Sequence, residues 1–562
     1  MSLRVVLSLA VMSLVQASLR GKIVATSGSM SDAMRLYTQF LCRVGLRQGV
    51  EAVRETVLQE VLAALGSGHR VTSDRLSSIE AILAPTFKAM PKNEFGNLED
   101  AAARYVLHRL FVRRHAMYIK GLEAEGMSWN ETSTAEVLED HVPSLVLSLF
   151  EDRLKGHGLG LHELTVLAAT LEHLIHDEAV SRLGVVYEVH GHPKDSPVNQ
   201  VDLQELIDTY MTIFLAGSPD MNATTVAEER AKVVETYPGW QSTRKFTIGV
   251  RSDVLAKSNS GNFSFDTATQ IVEEIGERYG HWQDAECRDL KRLLSKYENA
   301  GTGRVLLKDF YGAALDGNWQ FSESVEYLQE LGALDQSDSS NPAVLIPNYV
   351  NSQSNCVASS SIYSVCCINE CEALLGHLEQ EVAAPEATPE RLLELVSQLP
   401  SASQRAQPPS GALAKRLQEV AEQHNGLVPL HGRLFAQWLH HAYPRECPFP
   451  HPSGKTNPMT ADEWMQVKRQ GVAASKEEMR RYMNSPQAKA TVPTVTSETL
   501  PWSHEEELVA RHKTGDSRGY LRQVLWCLAA AGIVTQMLRQ ALHGFGRGQE
   551  MLIPLVHKQH AC

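Results

Sequence analysis

Apolar residues recur three and four apart over most of positions 31–215, the spacing of helices that bury one stripe. "SDAMRLYTQFLCRVGL" from 31, "LEDAAARYVLHRLFVRRHAMYIKG" from 98 and "LHELTVLAATLEHLIHDEAVSRL" from 161 keep that spacing throughout. Strand-like alternation is scarce. The pattern predicts a mainly α protein that opens with a multi-helix N-terminal domain over 31–215. A looser segment follows, and "YPGWQSTRKFTIGVRS" is its most strand-like piece. Helical spacing returns in "FDTATQIVEEIGERYGHW" and "DAECRDLKRLLSKYE". The short apolar run "PAVLIPNYVN", placed after turn residues, predicts a buried strand.

Further along, the pattern divides the chain by composition. Residues 216–380 hold a helix–loop–helix and a cysteine cluster, with little β-structure. Proline-rich connectors surround a small helical pair over 381–452. Residues 453–519 are polar, poor in large apolar side chains, and read as a stalk or linker. At 520–542, "YLRQVLWCLAAAGIVTQMLRQAL" has sixteen uncharged residues between Arg522 and Arg539. A spanning helix needs about 20 apolar residues, so Leu521–Leu538 reads either as a short membrane anchor or as a buried helix. A tail over 543–562 follows it.

The first residues read Arg4, an apolar run from Val5 to Val15, then Val15-Gln16-Ala17. That order predicts a secretory signal peptide over 1–17, the alternative being a buried first helix. Sequons at Asn130, Asn222 and Asn262 fit a glycoprotein on that route. The localisation expected is extracellular, or single-pass membrane with an external bulk. Four of the nine cysteines, Cys356, Cys366, Cys367 and Cys371, fall within sixteen residues. An oxidising lumen makes them one or two disulfides, and zinc is the alternative. The net charge of −13 over 562 residues repels phosphate backbones and argues against nucleic acid as a partner. A protein partner is expected, of unknown identity.

Chemistry is densest in "LLSKYENAGTGRVLLKDF" (293–310). Leu290, Leu293, Leu294 and Tyr297 set the rhythm of an incoming helix, and Glu298 stands at the first position of an EF-hand loop. Gly303 takes the sixth position, where the sharp turn needs glycine, and Val305 the apolar eighth. Candidate calcium ligands are Glu298, Thr302, the Arg304 carbonyl and Asp309. Ala300 and Leu306 stand where two further oxygens belong. Two carboxylates imply weak binding, with Kd about 10⁻⁴ M or higher. EF-hands pair, and "KDSPVNQVDLQE" (194–205) is the partner loop considered, although Lys194 and Pro197 fit it poorly.

The stretch from 237 to 451 resembles a family of uncharacterised, signal-led EF-hand-like proteins of dinoflagellate algae and related protists. The residues carrying the resemblance are "KYENAGTGRVLLKDFY", "SESVEYLQELGALD", "IPNYVNSQSNC", "CCINECEALLGHLE" and "VPLHGRLFAQWLHHAYPRECPFPH". It implies an EF-hand-like element, often a membrane anchor, and no established activity.

Two histidine groups bear on catalysis. His162, His173 and His176 lie on one predicted helix beside Glu172 and Asp177, where imidazoles could share a divalent metal. His431, His440, His441 and His451 surround Cys447. Neither group has a known metal-ligand spacing, and nucleotide-binding loops and nucleophile elbows are absent from the sequence. The expectation is a non-enzymatic binding or scaffold protein with a degenerate EF-hand. The alternatives are a metal-dependent enzyme using the histidine face and a structural surface component.

Overall fold

A computed structural model describes residues 72–120, 122, 157–216, 225–237, 239–256, 261–298, 301–315, 321–360, 362–401, 408–484 and 502–509. The signal segment, Asn130, Asn222, Cys42, Cys527, Cys562, the anchor candidate Leu521–Leu538 and the tail lie outside the described residues. The protein is mainly α, with sixteen helices and only small sheets among the described residues. No described helix is long and apolar enough to cross a membrane.

One arrangement recurs. A helix runs into a short loop, one to three extended residues follow, and the next helix starts at once. The extended residues of two such units then face each other antiparallel. Helices α1 (Ser73–Ala89) and α2 (Asp100–His115) flank Leu98, and Leu98 exchanges both backbone bonds with Leu159 at 2.8 and 2.9 Å. Strand β1 (Met117–Ile119) follows α2, and α3 (Leu161–Val189) starts directly after Leu159. Strand β2 (Val198–Asn199) leads into α4 (Gln200–Ala216). Helices α5 (Thr225–Thr236) and α6 (Trp240–Leu255) come next, then β3 (Asn262–Phe263) and α7 (Phe265–Leu294). β2 pairs with β3, Val198 opposite Phe263.

The same unit continues through β4 (Arg304–Leu306), α8 (Leu307–Leu315), α9 (Val325–Glu330) and β5 (Leu334–Asp335). Next come β6 (Ala343–Leu345) and α10 (Ile346–Val350), and β4 pairs with β6, Val305 opposite Val344. A hairpin of β7 (Val357–Ser359) and β8 (Tyr363–Val365) then adds to β1. The last large pair is α11 (Cys371–Val382), β9 (Glu386–Ala387), α12 (Pro389–Gln398), α13 (Gly411–Gln423), β10 (Val428–Pro429) and α14 (Arg433–Ala442). There Ala387 faces Val428. Helices α15 (Ala461–Lys468) and α16 (Lys476–Met483) close the described helical part, and Glu323 faces Ala473.

Local sequence explains why each ladder ends in a helix. The residue just after the extended stretch is often a hydroxyl or amide that caps the helix. Ser264, Ser324, Thr388 and Ser475 each accept the backbone N–H three residues on, and Asn199 accepts from Val201 and Asp202. Each such cap contributes about 1 kcal/mol.

Three apolar cores result. The first runs from Ile79 to Tyr279 and takes in Ile362, Tyr363 and Val365. The boundary expected near 215 therefore falls inside one core. The second joins the end of α7 to Tyr311, Tyr327, Tyr349, Trp464 and Met479. The third lies around Trp438, Phe435 and Leu378. Helix α7, with 30 residues, is on the order of 45 Å long and serves both the first and second cores.

Three expectations change. "WQSTRKFTIGVRS" is helix α6 and not a strand, because Trp240, Thr243, Thr247 and Val250 are buried at helical spacing. "PAVLIPNYVN" is strand only over 343–345 and then turns helical. The polar stretch from 453 is folded, not a free stalk, over its described part. Three of its large apolar residues, Met459, Trp464 and Met479, enter the second core, while Met465, Val467 and Met483 stay exposed.

Among the described residues, three disulfides tie the units together. Cys356–Cys366 closes the β7–β8 hairpin, Cys287–Cys367 joins it to α7, and Cys371–Cys447 joins α11 to the segment after α14. Only the first lies wholly within the cysteine cluster.

A buried charge network joins the first and third cores. Glu379 of α11 is 0% exposed and receives the Arg109 guanidinium, the Thr86 hydroxyl at 2.9 Å and His431 Nε2 at 2.8 Å. Arg109 also pairs with Glu372. Burial alone would raise the Glu379 carboxyl, but Arg109 and the His431 hydrogen bond pull it from 4.5 down to about 2. A value lower in the folded state than in the unfolded chain stabilises above pH 4.5. That contribution, roughly 3 kcal/mol, is lost as pH falls from there toward 2. Glu379→Ala is expected to cost about 3–5 kcal/mol, because it strands the buried Arg109 charge. Urea unfolding at pH 7 and pH 3 checks both statements, and the variant should lose less stability between them than the wild type does.

Candidate functional site

The loop at 298–309 has the backbone that its glycines predict. Gly301 and Gly303 hold φ of +76° and +71°. A Cβ on Gly303 would come within 2.0 Å of the Pro444 carbonyl oxygen, so the position tolerates only glycine on two counts. Val305 is 0% exposed and lies in the ladder with Val344. The Ile346 N–H bonds the Gly303 carbonyl at 2.9 Å, and the Leu307 N–H bonds the Pro342 carbonyl at 2.9 Å. The loop's partner is thus the 331–346 segment. The 194–205 segment pairs elsewhere, with the loop before α7.

The Glu298 side chain is 3% exposed and occupied on both oxygens. Oε1 accepts the Gly303 N–H at 2.6 Å, and Oε2 accepts Arg445 Nε at 2.7 Å. Arg445 follows α14, 147 residues away. Its guanidinium therefore brings a positive charge to the first position of the loop. Arg304 reaches Asp335 at 2.7 Å, and its Nη1 donates to the Thr302 carbonyl at 3.1 Å. Asp309 lies half-buried in the first turn of α8. Nothing in the sequence near 298 points to Arg445.

The first histidine group opens onto a cleft of about 370 Å³ between α1, α2, α3 and α7. His173 and His176 line it, with ring centroids 6.3 Å apart; His162 does not. The structure adds His115, Arg75, Glu273 and Glu277 to the wall. Each imidazole meets its own carboxylate. His115 Nε2 is 3.3 Å from Glu172, His173 Nε2 is 3.2 Å from Asp177, and His176 Nδ1 is 3.1 Å from Glu273. Burial would raise the Glu172 carboxyl, yet His115 and Arg75 hold it below the ordinary range. The lone pairs a shared metal needs are spread over three separate contacts. Among the described residues, no group of three or more His, Cys, Asp or Glu is placed to hold a metal ion. The cleft's depth is aromatic, with Phe111, Tyr210, Phe214 and Tyr279, so it suits an apolar body with a polar end.

The second histidine group is dispersed. His431 belongs to the Glu379 network. His440 is 0% exposed and neutral, because burial lowers it well below the ordinary range, and its Nδ1 donates to the Cys447 carbonyl at 2.8 Å. His451 Nε2 bonds the Gly332 carbonyl at 2.8 Å. Both hold the segment after α14 against its neighbours.

Comparison with protein families, with curated proteins and with solved structures finds no match for this chain. The geometry of the loops is therefore the ground for a functional reading. If the clamp between the 298–309 loop and the 444–445 segment holds the second and third cores in register, Gly303→Ala should be costly. The expected loss is about 2 kcal/mol or more in denaturant unfolding, whereas Gly312→Ala, inside α8 where an added Cβ meets nothing, should be neutral or stabilise by up to about 1 kcal/mol.

Proposed function

We propose that the protein is a non-enzymatic binding and scaffold protein of the secretory route, assembled from paired EF-hand-derived units whose loops close without calcium. The observation that carries this reading is the Arg445 guanidinium bonded to Glu298, the residue at the first ligand position. Calcium gathers six to eight oxygens around one point. Here one carboxylate is turned to a backbone N–H and a tethered cation instead. Two other ladders support the same reading. Counting the ladder residue as the eighth of its loop, Gly191 and Ser337 stand where Glu298 stands. Neither offers a carboxylate.

Such loops keep what an EF-hand contributes to folding, a fixed helix-to-helix angle and a ladder between two units. They give up the ion that would make the angle switchable. The disulfides and the exposed Asn262 sequon support a secretory setting. A membrane attachment through Leu521–Leu538 belongs to the same reading.

Calorimetric titration with Ca²⁺ checks the proposal. The expected result is no heat below about 10⁻⁴ M free Ca²⁺. The melting temperature should be the same in chelator and in Ca²⁺ at that concentration. A dissociation constant near 10⁻⁶ M, or a melting shift on adding Ca²⁺ in the micromolar range, would make the loops working sensors and overturn it.

A further inference from the structure

Residues Trp502–Val509 have no helix or ladder partner of their own making, yet they lie tightly on the α13–α14 pair. Leu508 faces Gly432 antiparallel, the Arg433 N–H donates to the Glu507 carbonyl at 2.9 Å, and the Val509 N–H donates to the His431 carbonyl at 3.2 Å. The segment thus adds itself as an extra strand beside 431–433. Arg433, 5% exposed, grips its main chain: Nε donates to the Glu505 carbonyl at 2.6 Å and Nη2 to the Ser503 carbonyl at 3.1 Å. Gln437 and the Pro450 carbonyl, both at 3.0 Å, hold that guanidinium in place.

Side chains add selectivity. Glu506 caps the start of α14, accepting the Leu434 N–H at 3.1 Å, and its other oxygen meets His424 Nε2 at 2.9 Å. Gly432, the residue before α14, has no side chain to do this, and a Cβ there would crowd Leu508 and Glu506 at 3.1 and 3.2 Å. Glu507 accepts the Ser453 N–H at 3.0 Å and the Ser453 hydroxyl at 2.8 Å. Trp502 stacks on His441 with centroids 6.0 Å apart, under the Arg416 guanidinium at 5.4 Å.

The groove is larger than its occupant. A cavity of about 680 Å³ adjoins Glu506–Val509 and reaches Arg109 and His431. Both side chains are more than nine-tenths buried, and Arg109 Nη2 and His431 Nδ1 have no hydrogen-bond partner among the described residues.

We propose that this groove is an acceptor for an extended acidic peptide of a partner protein, and that Trp502–Val509 is its intramolecular occupant. The partner segment carries an aromatic residue, then two consecutive glutamates four and five positions on, then an apolar residue. Contacts to main-chain carbonyls make the grip general, and the caps on Glu506 and Glu507 make it acidic. A tethered occupant acts at an effective concentration on the order of millimolar, so it sets the affinity that a partner must exceed.

The test uses the full chain and a labelled peptide with the sequence of residues 500–511, followed by fluorescence anisotropy. The Trp502→Ala/Glu506→Ala double variant, which weakens the tethered segment, should bind the peptide at least tenfold more tightly than wild type does. Glu507→Ala, a milder change that removes only the Ser453 contacts, should give an intermediate gain. Adding Arg433→Ala to the double variant should abolish binding while circular dichroism stays unchanged. No binding to the double variant at about 1 mM peptide would overturn the proposal. Equal binding to wild type and double variant, or equal binding of a peptide with lysines for glutamates, would overturn it as well. A wild-type dimer in sedimentation that the double variant loses would replace the partner with a second copy exchanging this segment.

Discussion

Glu379 sits at the point where the helical layers meet. Its carboxylate is fully buried, and it survives there only because Arg109, His431 and Thr86 come to it from three other elements. Two of them are the helices of one loop-paired unit, and the third belongs to another. Thr86 lies near the end of α1, Arg109 in the middle of α2, and His431 just before α14. A charge that cannot be left alone in a low-dielectric interior therefore fixes how the first and third cores dock. The same His431 carries the backbone carbonyl that receives Val509. The docking of the cores and the seat of the Trp502–Val509 segment thus share one residue.

The closure of the 298–309 loop follows a simple physical rule. A turn that exposes backbone N–H groups needs negative charge, and a buried negative charge needs a positive one. In the 298–309 loop the Gly303 N–H, Glu298 and Arg445 meet both needs in series. Elsewhere hydroxyl and amide caps carry the turn with no charge at all. The result is a chain of rigid corners. Ladders of only one to three residues suffice, because each one is sealed by apolar side chains such as Val305 and Val344, both 0% exposed.

Much of this fold is legible from short-range signals. Periodicity located α2, α3 and α7. Glycine at 303 with Val305 two positions later marked a tight helix–loop–helix, and the backbone there has the left-handed turn that glycine permits. The misreadings share a cause. In α6, β-branched and aromatic residues suggested a strand, but Trp240, Thr243, Thr247 and Val250 share one helical face that packs inward. In the polar stretch after 453, large apolar residues were too sparse to suggest burial by composition. Their positions, not their number, put Met459, Trp464 and Met479 into a core. The His162–His173–His176 face was a statement about one helix, and only two of those rings reach the cleft that the neighbouring helices build.

The sequence by itself determined the helical class, the helix caps, the sharp turn at Gly303 and the shortage of loop carboxylates, because each depends on residues within a turn or two of one another. Tertiary structure alone decided which loops pair, which cation meets Glu298 and where the acidic segment lies. Val305 pairs with a residue beyond the next helix, Arg445 arrives from 147 positions away, and Arg109 finds Glu379 across 270. Contacts of that range are selected by the packing of whole faces and by the cost of burying unpaired charge, which no local pattern encodes.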